Sequence, residues 1–327
     1  MKYFHWTPAG WALLLVITRW QKIAEFLAGP LENKMLALVV LILIPVGIII
    51  ALKVTAIRKV ESRRLQLAIT TLMVLVGAAA FAPILAPYDP THIIDLANAQ
   101  TLAPSFAHPL GTDEFSRDLL SRMIYGARIS LSIALLAITL SITLGTTLGM
   151  VAGLTGGVTD SAIMRSIDAA LAIPRIVLLV VVLALWDRRD MMTIVLVLGL
   201  TGWFETARLA RAEVLSLRDR NFVVAARASG VSNVKILWRH LLPNIAAPLV
   251  VTATLGVGQL ILVEAGLSYL GLGVSVPTAS WGSIIRDGRE LLFQAPWIVT
   301  IPGFAIATTV MVFSTIGESV REALNPR

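Results

Sequence analysis

Apolar runs long enough to cross a bilayer recur along the chain, and the polar stretches between them alternate in charge. Met35 to Leu52 is the first unbroken run, with Pro45 as a kink; Lys53, Arg58, Lys59, Arg63 and Arg64 follow it against Glu61 alone. Further runs lie at about 67–86, 128–153, 169–186, 191–204, 245–267 and 297–316. A membrane helix needs roughly 20 mostly apolar residues, and the run at 191–204 reaches that length by continuing as a helix through Glu205, Arg208 and Arg211. Stretch 88–127 carries five acids (Asp89, Asp95, Asp113, Glu114, Asp118) against two arginines, which places it outside. Stretch 156–172 is expected as a short inner loop, Asp187 to Asp190 as a tight outer turn, and 271–296 as an outer segment rich in Gly and Pro. Residues 205–244 hold seven Lys or Arg against three acids and belong inside, as does the tail. Basic residues hold inner loops in place, so this alternation gives six spans from residue 67 onward.

The N-terminal region adds one or two more. Trp11 to Thr18 is apolar, but Arg19, Lys22 and Glu25 follow at a costly depth. Residues 9–28 are therefore either a poor span or a helix lying in the interface. One extra span puts the N-terminus outside, two put it inside.

Composition agrees with this pattern. Of 327 residues 57% are hydrophobic and 14% charged, well under the quarter or so typical of soluble domains. The absence of cysteine excludes disulfides and thiolate metal sites. The net charge of +7 reads as inner anchoring rather than nucleic-acid binding. No cleavable signal peptide is expected, since Lys2 alone precedes the first short apolar run and no small-residue cleavage site follows.

Several residues within and beside the spans carry expectations. Gly145, Gly149 and Gly153 form a smooth stripe for close helix packing. Glu264, a carboxylate within a span, is assigned a structural role, pairing or capping the segment that follows. Glu205 is expected to pair with Arg208 or solvent, and Trp281 and Trp297 to anchor at the interface. Asp113, Arg117 and Asp118 start an amphipathic helix outside the membrane, where they either contact an extracytoplasmic binding protein or form a solvated ion-pair network.

The segment Arg218 to Asn244 is the most polar and basic of the second half, hemmed in by apolar runs. It reads as a helical hairpin. Asn221 is placed to cap the first helix and Gly230 to end it in a left-handed conformation; Ser232 caps the second and Pro243 stops it. Val234, Leu237, Trp238 and Leu241 make one apolar stripe, with Lys235 and Arg239 opposite. The segment also has the outline of a DNA-binding helix-turn-helix, but it is tethered between two spans and its apolar stripe favours protein contact. No phosphate-cradling Gly-x4-Gly-Lys loop and no His-Glu-x-x-His occur, and the histidines (His5, His92, His108, His240) are scattered. ATP hydrolysis therefore belongs to another chain, and no metal site is expected. A secondary transporter would need paired intramembrane acids and bases, and no such run stands out.

This hairpin resembles the cytoplasmic loop of bacterial ABC importer permeases, on Ala225, Ala226, Gly230, Leu242 and Pro243. The family's Glu is replaced by Val224 here. Three further stretches resemble the peptide and nickel branch of these permeases, in its C-type inner-membrane subunit. They are His108 to Leu131 (Gly111, Thr112, Asp113, Arg117 and Asp118, with Ser116 for the usual Gly), Glu264 to Ile285, and Ala295 to Trp297 with the end from Gly317. Together they cover roughly 66–327. The resemblance implies an all-α integral membrane fold: a six-helix type I importer core plus one or two extra N-terminal helices. The chain then divides into an extension at 1–65 with its clear span at 35–52, a first core span and outer loop at 66–127, and the permease domain at 128–327 containing hairpin 218–244. It further implies a second, different permease subunit, two ATPase subunits carrying ATP and Mg, and an extracytoplasmic solute-binding protein, all at the bacterial inner membrane. The hairpin would be the coupling element seated on the ATPase, through Val224, Ala225, Ala226, Gly230, Leu242 and Pro243.

Overall fold

The computed structural model describes residues 63–96, 99–187 and 189–324. The expected span at 35–52, the stretch 9–28 and the end of the tail at 325–327 lie outside the described residues. In chain order the described residues form α1 (Arg63–Ala80), α2 (Ala82–Leu85), α3 (Leu119–Thr155), α4 (Gly157–Leu171), α5 (Arg175–Ala184), α6 (Met191–Leu217), α7 (Asn221–Ala228), α8 (Asn233–Tyr269), α9 (Trp281–Gly288) and α10 (Trp297–Leu324). Helices α1, α3, α6, α8 and α10 are each long and apolar enough to cross a membrane, and α4 with α5 makes a sixth, bent by 80°. Five spans, or six where the bent pair counts as one, are thus present among the described residues, in an all-α membrane fold.

Four elements depart from expectation. The first is α3, which begins at Leu119 rather than near Arg128. The Asp118 carboxylate accepts the Ser121 N–H at 2.8 Å, capping the helix there. The 37 residues of α3 extend for about 55 Å, so the helix projects well beyond a hydrocarbon core of about 30 Å. The separate amphipathic outer helix is simply its first turns.

The second is the inner loop 156–172, which is helical as α4. Its charges are not free to float. Asp160 takes the Arg211 guanidinium of α6 with two bonds of 2.5 and 2.6 Å, and Asp168 takes Arg208. The bend to α5 falls before Pro174, because a residue preceding proline is pushed out of the helical region.

Pro243, third, does not stop its helix. A π-type turn at Ile236–Leu241 precedes it, and α8 runs through to Tyr269. Proline has no N–H to offer and its ring crowds the carbonyl four residues back; a widened turn absorbs both faults without breaking the helix. The fourth is Trp281, which is a core residue and not an interfacial anchor. It is 1% exposed, and its indole N–H donates to the Met123 carbonyl at 3.1 Å.

Helices α3 and α6 form the most extensive packed pair, and glycine makes it possible. A Cβ at Gly149 would stand 2.3 Å from the Ala207 carbonyl oxygen, and one at Gly145 2.6 Å from the Thr206 Cβ. The core divides by depth. One apolar cluster, including Leu131, Leu198, Ile261, Trp281 and Ile298, fills the outer and middle levels. A second, including Met150, Val214, Val223, Ile236, Leu241 and Ile245, sits at the inner end beneath the hairpin. A third joins α1 to α10 through Leu65, Ala68, Val312 and Ile316.

Candidate functional site

The inner hairpin is α7 and the first turns of α8. Gly230 has φ +76°, a left-handed conformation that glycine takes without a Cβ penalty. Its N–H donates to the Arg227 carbonyl at 2.9 Å, and the Val231 N–H to the Ala226 carbonyl at 3.0 Å. These two bonds are a Schellman closure, which ends α7 and reverses the chain. At the other expected caps the detail differs. Arg220, not Asn221, occupies the cap position of α7, and Ser232 precedes α8 without a side-chain bond.

One face of the hairpin is buried. Val223 and Ala226 of α7 and Ile236, Leu237 and Leu241 of α8 pack on Met150 and Val214. The other face is exposed, and much of it is apolar: Phe222, Val224, Val234 and Trp238 are between 40% and 65% exposed. The expected stripe is therefore split. Ile236 and Leu241, five apart, share the buried side because the π-type turn adds a residue to the repeat; Val234 and Trp238 are carried outward. Of the residues named for coupling, Val224, Ala225, Gly230 and Pro243 are exposed, Leu242 half-buried and Ala226 buried. The second helix of the hairpin is continuous with a span, which sets it apart from a free recognition helix.

At the outer end the named polar residues are turned inward. Asp113, Arg117 and Asp118 are 1%, 8% and 1% exposed, so the solvated network expected of them does not form and they have almost no surface to offer a partner. Arg117 binds Asp113 at 2.7 Å, and Arg122 reaches Asp113 at 3.3 Å and Asp287 at 3.0 Å. Asp118 also holds His108 Nδ1 at 2.9 Å. Loop, α3 and α9 are thereby clasped together by alternating charges. Glu114 beside them is pushed above the usual carboxylate range by burial and by the Asp287 and Asp113 charges.

Glu264 is 1% exposed, and its carboxylate accepts hydroxyl bonds from Ser268 at 2.7 Å and Ser130 at 3.1 Å. Ser130 also accepts the Trp281 N–H, so the carboxylate sits where α3, α8 and the start of α9 meet. Arg189, in the expected outer turn, ties that turn to the same region by donating to the Gly271 carbonyl at 2.9 Å.

Of the two partners expected for Glu205, Arg208 is held by Asp168, and Glu205 is exposed to solvent. It lines a small groove between α3, α6 and α8 with Ser141, Arg175, Thr252 and Gln259. Arg175 and Gln259 were not singled out by sequence reasoning. A charge directly after Pro174, within an otherwise apolar run, was the available signal for Arg175.

Taken together, the chain is a polytopic helical membrane protein with a clasped outer end and an inner hairpin that presents apolar surface. Residues 145–327 match the family described as the binding-protein-dependent transport system inner membrane component, and the chain belongs to that family. It is similar to the dipeptide transport system permease protein DppC of Alkalihalophilus pseudofirmus, 38% identical over 272 residues, 82% of this chain and 88% of the other. It is also similar to two Brucella suis proteins. One is named for a peptide permease (39% identity, 83% of this chain and 89% of the other) and one for a peptide transport system permease (37%, 84% and 91%). The chain is therefore a multi-pass permease subunit of an ABC importer, placed in the bacterial inner membrane, and it works with other components of such a system.

Proposed function

We propose that this chain forms half of the path for peptides or similar small solutes, paired with a second permease and driven by two ATPase subunits docked at the inner hairpin. An extracytoplasmic binding protein delivers the solute from the other side. The observation that carries the reading is the exposed apolar side chains of the hairpin, Phe222, Val224, Val234 and Trp238, on a segment that also exposes Arg227, Lys235 and Arg239. Exposed apolar surface of this kind outside the bilayer is stabilised by a protein partner. Val224 stands where the family resemblance has Glu, so the contact here is apolar rather than charged.

The mechanism follows from how the hairpin is attached. Its buried face shares one apolar cluster with the inner ends of α3 and α6, and Arg211 and Arg208 bind α4 to α6. A push on the hairpin moves these ends together, so ATPase closure becomes a tilt of spans and a switch of access between the two sides. Such coupling needs a two-state element that both partners bias, and the linked helices supply it.

The chain lacks cysteine, so a single Val234→Cys change gives a unique thiol. In inside-out membrane vesicles it is expected to react with a membrane-impermeant maleimide and to cross-link to an ATPase subunit, with nucleotide changing the yield. Labelling from the outer side, or cross-links to no nucleotide-hydrolysing subunit, sinks the reading.

A further inference from the structure

The groove that holds Glu205 lies between three of the spans, where the apolar run 191–204 of α6 gives way to its charged end. Ser141 is near the centre of α3, Gly202 and Glu205 are near the centre of α6, and Thr252 and Gln259 lie along the membrane part of α8. Glu205 and Gln259 are exposed in this chain. Charged and amide groups at that depth are costly against lipid tails and belong on a water-filled path or against a partner. This face is therefore one turned to the solute path or to the second permease.

Arg175 is the cation of the groove, and it is poorly satisfied. Among the described residues its side chain makes one hydrogen bond, a long one of 3.4 Å from Nη2 to the Leu198 carbonyl. Its buried Nε has no partner. Glu205 is the charge that acts on it across the groove, with no ion pair formed between them among the described residues. Gly202 makes the place for it: a Cβ there would stand 3.0 Å from Arg175 Nη2 and 2.9 Å from Ser141 Oγ. A planar guanidinium whose buried Nε has no partner among the described residues is a fork for a carboxylate. The cavity of about 50 Å³ has room for a few water molecules or one carboxylate group, and not for a whole dipeptide.

We propose that Arg175, with Ser141 and Gln259 beside it, is a subsite on the path wall that takes the carboxylate end of the transported solute. The subsite rests on the peptide reading above. Glu205 opposite keeps the site near neutral when empty and gives an ammonium group a place to pass.

The test uses the importer purified with its partner subunits, in proteoliposomes with its binding protein. Uptake of the dipeptide Ala-Ala is compared with uptake of its C-terminal amide, as a ratio within each variant, which does not depend on how much protein folds. The unaltered importer is expected to favour the carboxylate by about tenfold or more, the value of a charged hydrogen-bonded contact. In Arg175→Gln the ratio is expected to fall below about threefold. Gly202→Ala, which crowds the guanidinium by one methyl group, serves where Arg175→Gln does not assemble; its ratio is expected to fall by about threefold. A ratio in Arg175→Gln or Gly202→Ala equal to that of the unaltered chain overturns the subsite alone. An unaltered importer that moves neither compound overturns the peptide reading and the subsite with it.

Discussion

The outer and inner ends of this molecule are built on opposite plans. Outside, charge is buried and answered within the chain: Asp113, Arg117, Arg122 and Asp287 alternate in sign, and Asp118 joins a helix cap to His108. Inside, the charged pairs sit nearer the surface, and apolar side chains such as Trp238 and Val234 are left uncovered. The outer end holds its charges within the chain, although it too leaves apolar side chains such as Phe106 and Phe293 uncovered. On the reading proposed above, the inner end is completed by a neighbour.

That contrast is open to direct tests. The largest effect is expected from Asp118→Ala, which removes the cap of α3 and leaves His108 and Ser121 without their shared acceptor. A cost of about 3 kcal/mol or more is expected, read as a large drop in unfolding temperature in detergent. Trp238→Ser should reverse the pattern. Unfolding should shift by about 0.5 kcal/mol or less, while ATP-driven uptake falls roughly tenfold. Equal destabilisation by the two changes would erase the distinction between the ends. Gly230→Val puts a branched side chain at φ +76° in open space, so it tests conformation without a clash. About 1–2 kcal/mol of local strain is expected, seen as weaker retention of the ATPase on co-purification.

The smallest effect concerns Glu114, whose folded carboxyl binds its proton more tightly than the unfolded one. Such a group leaves stability unchanged below the unfolded value and subtracts from it as pH rises through the folded one. Glu114→Gln should therefore stabilise at neutral pH, by about 0.5 kcal/mol or less after solvent screening, and the gain should vanish in acid. Equilibrium unfolding at two pH values reads both signs.

Much of this architecture was legible in the residues. Spans are visible because a bilayer demands an unbroken apolar length. The turn at Gly230 is legible because few residues accept a left-handed backbone. What escaped has common causes. Trp281 reads the same in a core as at an interface, since only its neighbours decide; here Gly126 and the α8 backbone close around its helix. The burial of Asp113 and Arg117 was hidden because a charge pattern does not say which way side chains turn. The split stripe at Val234 and Trp238 follows from a turn wider than 3.6 residues, which a fixed repeat misses. Arg175 was passed over because one cation in a long apolar run barely alters its average.

Helix α8 carries a last consequence. It runs as one continuous helix from the hairpin past Glu264, and hydroxyls of neighbouring segments, Ser130 on Glu264 and Ser280 on Ser268, grip it near its far tip. A beam held at one tip and pressed at the other swings instead of sliding. The greatest excursion then falls at the inner mouth and almost none at the outer rim, so the pore would open like a hinged door from below.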